Sequence, residues 1–117
     1  MMCKAVYYKD IAGEEVEERG AEGVHVRWLI SKDDGAQNFA MRHFEVEPGG
    51  KTPYHSHDWE HEVFVLEGKG IVVCDGVEKG IGPEHVVFIP PNAEHCLKNT
   101  GTGRFRFLCL IPFKKQL

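Results

Sequence analysis

The chain has 117 residues, 42% of them hydrophobic and 27% charged, with a formal net charge of −4, which fits one ordinary globular domain with a core of its own. The acidic balance, and the lack of any basic run beyond the pair Lys114 and Lys115, argue against a nucleic-acid partner. No stretch approaches the ~20 apolar residues of a membrane span, the first 21 residues hold no apolar leader, and the cysteines Cys3, Cys74, Cys96 and Cys109 form no CxxC pair, so a reduced cytoplasmic setting without a thiolate zinc site is expected.

In chain order the elements read as short strands parted by turns. Residues 11–18 carry glutamates at 14, 15 and 17 and read as a solvated loop rather than a helix. Residues 24–30 are rich in β-formers and stop at Asp33, Asp34 and Gly35. A second run, 39–46, is closed by Pro48, Gly49 and Gly50. A third, 63–66, ends in a Gly68-to-Gly70 turn, and a fourth, 71–74, ends at Asp75-Gly76, a hairpin signal. A fifth, 86–89, is stopped by Pro90 and Pro91, and a sixth spans 104–111. No sustained period of 3.6 competes with these strands. The predicted class is all-β, a barrel or sandwich. Residues 1–35 read as an N-terminal arm and residues 36–117 as the barrel.

Three of the seven histidines crowd into one segment, as His55, His57 and His61. Positions two apart on a strand share a face, so an unbroken strand would bring all three to one side with Val63 and Val65, and turn Glu60 and Glu62 to the other. Neutral imidazole is a common metal ligand near neutral pH. Burying several imidazoles without a shared ion would leave polar nitrogens without partners. Glu62 in place of His61 remains an alternative.

Two blocks resemble the motifs of the cupin family. In residues 49–68, Gly49 precedes His55 by six positions, and Gly68 follows His61 by seven, where the usual pattern carries a glutamate at the position of His61. In residues 90–99, Pro90 and His95 stand in the second motif, whose usual glycines are here Glu84 and Asn92. Asparagine tolerates positive φ. Trp59, Glu60, His61 and Glu62 after the histidine pair, with the closing run 107–112, make the chain similar to small four-histidine manganese cupins over about residues 36–112. The resemblance implies a double-stranded β-helix, that is, a jelly-roll-like β-barrel. It also implies a homodimer whose N-terminal strands pair with the partner's sheet, and one divalent ion held by His55, His57, His61 and His95. Manganese follows from the resemblance, with iron, nickel, zinc and copper as alternatives suited to imidazole.

Phe107, Cys109 and Ile111 share one parity on the last strand. Facing inward with Val63, they would give the ion a largely apolar pocket with one thiol. Arg42 shares the parity of Phe44 and Val46 and could hold a carboxylate there with two donors, against the competing role of a surface ion pair. The function expected is that of a metal-dependent oxidoreductase, activating dioxygen or peroxide against a small organic substrate. No general base is obvious in the sequence. The alternative is a non-catalytic module that binds a small ligand or senses metal.

Overall fold

Alternation of apolar and polar side chains decides which face of each strand turns inward, and here it closes a sheet on itself. The computed structural model describes residues 2–113. Its strands are β1 (Glu14–Glu15), β2 (Glu22–Ile30), β3 (Phe39–Lys51), β4 (His61–Glu67), β5 (Gly70–Cys74), β6 (Val77–Ile81), β7 (Val86–Ile89), β8 (His95–Asn99) and β9 (Phe105–Pro112). They are hydrogen-bonded in the order β6-β5-β8-β3-β9-β4-β7, with β2 on β3 and β1 on β2. The all-β, jelly-roll-like barrel expected from the sequence is what forms.

β3 is the spine. Its first part pairs with β9 from Phe39↔Pro112 to Val46↔Phe105, and its last residue, Lys51, pairs with Lys98 of β8. The strand must therefore bend between these partners, and the bend falls where a stop was expected, at Pro48, Gly49 and Gly50. A Cβ on Gly50 would stand 2.9 Å from the Glu47 carbonyl oxygen, so glycine permits the close approach. The β5–β6 hairpin turns at Asp75 (φ 48°) and Gly76 (φ 80°), both left-handed as a tight two-residue hairpin requires.

The inward face is continuous across strands. Val63 of β4 lies beside Cys109 of β9, and Cys109 beside Arg42 of β3. Val65, Phe107 and Phe44 form the next row, and the Phe44 and Phe107 rings stack at 5.2 Å. Phe105, Val24 and Val46 close the core below. Asn99 fastens the far turn, its amide donating to the carbonyls of Val46 and Gly103 at 2.8 Å each.

The six expected runs fall in β2, β3, β4, β5, β7 and β9. β6 was not expected, because four of its five residues are exposed and carry no apolar alternation. β8 was placed only through the motif around His95. β2 lies along β3 of its own chain, from Val24↔Val46 to Ile30↔Met41. On the outer face, Arg106 points away from the cavity, as its parity required. It meets Glu67 at 2.6 Å and donates to His43 Nε2 at 3.0 Å. His43 is 1% exposed, roofed by Tyr8 with ring centroids 4.7 Å apart.

Candidate metal centre

Two separate segments deliver the histidines. The expected strand through residues 55–60 does not form; the segment is irregular apart from a bridge between His55 and His95. That bridge consists of two backbone hydrogen bonds, His55 N–H to His95 O at 3.1 Å and His95 N–H to His55 O at 2.9 Å. It sets the histidine pair against β8 without strand parity. His61 then opens β4, whose alternation turns His61, Val63 and Val65 inward and leaves Glu62 exposed. Glu62 faces outward beside Phe39 and Leu110, away from the histidines.

The ring centroids of His55 and His57 are 4.2 Å apart, of His55 and His95 5.0 Å, of His61 and His95 4.7 Å, and of His57 and His61 5.3 Å. One ligand atom each from His55, His57 and His95 lies within 4.8 Å of the others, close enough for the three to hold a metal ion. His61 borders the same cavity.

The tautomers fit such an ion. His95 Nδ1 is 2.9 Å from the carbonyl oxygen of Ala93, an acceptor only, so Nδ1 carries the proton and Nε2 keeps its lone pair. His55 Nδ1 likewise faces Glu18 Oε2 at 2.8 Å. His61 Nδ1 is buried and has no hydrogen-bond partner among the described residues, an orphaned polar atom of the kind a bound group can satisfy. Burial is the largest cause that lowers His61 to about 3 and holds His57 and His95 below the usual imidazole range. The Arg42 charge adds to the shift of all three. These three imidazoles are therefore neutral at neutral pH, the form that donates a lone pair.

The cavity beside the rings has a volume of about 110 Å³. Arg42, Val63, Phe107 and Cys109 all line it. Ile111 does not: one step further along β9 it reaches the rim and faces an adjoining groove of about 530 Å³ with Trp28, Trp59 and Phe113. Trp59 stacks flat on His57, 4.3 Å between centroids at 5°, and lines that groove. Burial pushes the Cys109 thiol up, and its sulfur accepts a hydrogen bond from Arg42 Nη2 at 3.2 Å.

Sequence reasoning missed the arm's part in the site. Val16 and Glu18 reach the cavity because β1 pairs with β2 and Val16 N–H bonds the Val24 carbonyl at 2.9 Å. Nothing in the glutamate-rich segment distinguishes Glu18 from its neighbours, so no local signal could have found it. Phe44 was within reach, since it shares the parity of Arg42.

The chain matches the cupin domain over residues 42–111. It is 30% identical over 76 residues to the 1-methylthio-D-xylulose 5-phosphate methylsulfurylase of Rhodospirillum rubrum, across 65% of this chain and 49% of that protein. It spans about half the length of the first curated relatives it matches. Among solved structures it is similar to the polyketide cyclase RemF from Streptomyces resistomycificus, with a TM-score of 0.90 and 38% identity over 99% of this chain and 83% of that one. A predicted oxalate decarboxylase from Thermotoga maritima aligns with a TM-score of 0.84 and 26% identity over 95% of this chain and 100% of that one. The family match takes in both histidine-bearing segments and the cavity wall between them, and this chain belongs to the cupin family.

Proposed function

We propose that the protein is a metal-dependent cupin enzyme that activates the carbonyl group of a small organic compound, in the manner of a cyclase. The carrying observation is the convergence of four histidines from two segments on one small, mostly apolar cavity. The 38% identity to a polyketide cyclase, over nearly the whole chain, directs that site toward carbonyl chemistry.

His55, His57, His61 and His95 would hold the ion. A divalent ion bound there supplies Lewis acidity at a carbonyl oxygen. Glu18 accepts a hydrogen bond from His55 Nδ1–H and fixes that ring's orientation. Val63 and Phe107 keep bulk water from the reacting carbons, which strengthens every charge interaction inside. Arg42 places a positive charge on the cavity wall, where it would attract a negatively charged group of the substrate. Manganese is the ion the family resemblance suggests. Homodimerisation through the N-terminal strands and a cytoplasmic setting belong to the same proposal.

A second reading keeps the ion and changes the chemistry to oxidation of a small molecule by dioxygen or peroxide. In its favour stands the imidazole cluster itself, a donor set suited to redox-active ions such as iron and copper. The cyclase reading takes precedence because a polyketide cyclase is 38% identical over 99% of this chain.

The test is incubation of the metal-loaded protein with a linear tetra-β-ketone. Cyclisation with loss of one water, abolished by chelator and by His55→Ala, supports the proposal. Oxygen uptake without cyclisation assigns the site to oxidation. Tight binding of a small molecule without turnover assigns it to a non-catalytic module.

A further inference from the structure

Arg42 is placed differently from the arginines on the outer face. Arg104 and Arg106 share Glu67, at 3.3 and 2.6 Å, and Arg104 also reaches Glu45. Arg42 points into the barrel and has no carboxylate partner among the described residues. Its one hydrogen bond there goes to the Cys109 sulfur, a weak acceptor. Its Nε is buried with no partner among the described residues. The guanidinium carbon lies over two aromatic rings, 5.4 Å from the Trp28 centroid and 4.9 Å from that of Phe44. Such cation–π contacts favour the charge but offer its N–H donors no acceptor. A half-buried guanidinium whose buried Nε lacks a partner among the described residues, opening on the cavity that the histidines border, is suited to an anion.

We propose that Arg42 binds the carboxylate of the substrate, and that the substrate class is therefore small oxo acids, with the carboxylate on Arg42 and the carbonyl oxygen toward the histidines. This rests on the carbonyl-chemistry reading above and adds to it the charge of the substrate. The planar, pre-oriented fork would receive two carboxylate oxygens, for which a lysine is no substitute. The cavity of about 110 Å³ suits a molecule of few heavy atoms.

The probes are acetoacetate and its uncharged amide, acetoacetamide. Binding is read by calorimetry and by tryptophan fluorescence, since the chain's two tryptophans, Trp28 and Trp59, border Arg42 and His57. Metal-loaded protein is compared with chelator-treated protein, Arg42→Gln, Arg42→Lys and His55→Ala, each first shown to melt cooperatively. The expected result is at least tenfold preference for acetoacetate, retained in the chelated and His55→Ala proteins. Arg42→Gln is expected to abolish the preference, and Arg42→Lys to restore only part of it. Equal affinity of the unmodified protein for both probes would overturn the proposal, and this needs no variant to fold. So would a preference that survives Arg42→Gln, or one that vanishes with the metal while Arg42 is intact. A preserved preference with no cyclisation would remove the cyclase reading and leave the anion site standing.

Discussion

Glu18 Oε2 lies 2.8 Å from His55 Nδ1 and joins the N-terminal segment to the histidine cluster. A carboxylate behind a ligand imidazole fixes its tautomer and raises its basicity. Glu18→Ala is expected to weaken metal binding by about 10–100-fold, with Glu18→Gln less severe because its amide oxygen still accepts. Competition titration against a calibrated chelator measures this. Equal metal affinity in all three proteins would show that His55 is oriented without Glu18.

His43 gives a pH prediction from β3, on the face turned away from the cavity. Burial is the first cause that lowers it to about 4, and the adjacent Arg106 guanidinium is the second. The Arg106 N–H donates to Nε2, which holds that nitrogen unprotonated. Between about pH 6.5 and 4 the unfolded chain therefore binds a proton at this position that the folded chain refuses. Stability contributed here is complete above pH 6.5 and is lost as pH falls toward 4, by up to about 3 kcal/mol. Urea unfolding of the unmodified protein and of His43→Gln across this range should show a shallower acid slope in the variant. Parallel slopes would count against a buried neutral His43.

Glu84 carries a non-glycine residue at φ 68° where the family motif has glycine. Its backbone N–H still bonds the Val65 carbonyl at 2.9 Å, so the turn keeps its shape and bears the strain. Glu84→Gly should relieve it and stabilise the fold by about 0.5–1 kcal/mol, the left-handed penalty less the extra freedom glycine gains when unfolded. A higher urea midpoint with unchanged m-value is the expected reading; a lower midpoint would show that Glu84 makes contacts worth more than the strain.

Phe107 is 1% exposed and stacks on Phe44 beneath the cavity. Phe107→Ala is expected to cost about 3–5 kcal/mol, the loss of a buried ring plus the void it leaves. The thermal midpoint reads the loss. A cost near 1 kcal/mol would mean that the neighbouring side chains collapse into the space.

The apolar strands were legible because period-2 alternation is a local signal, as in β4, where His61, Val63 and Val65 alternate with exposed Glu62 and Phe64. β6 was not, because at the sheet's edge it buries only Ile81 and carries no apolar alternation. The histidine segment was legible in composition and not in conformation. His55 and His57 read as a strand pair, yet the segment is irregular and takes its place from the bridge to His95. Arg42 was placed inward by parity, but its lack of a carboxylate partner among the described residues is a property of three strands at once and leaves no mark in any one of them. Glu18 depended on the path of a loop that runs from β1 to the cavity mouth.

The paired main-chain hydrogen bonds between residues 55 and 95 separate two tasks that many metal proteins merge. Residues 55 and 95 are brought together by peptide groups, whose identity does not change when a side chain does. Evolution can thus exchange an imidazole for a carboxylate or an inert residue at these sites, altering ion preference or discarding the ion, while leaving the scaffold's closure intact.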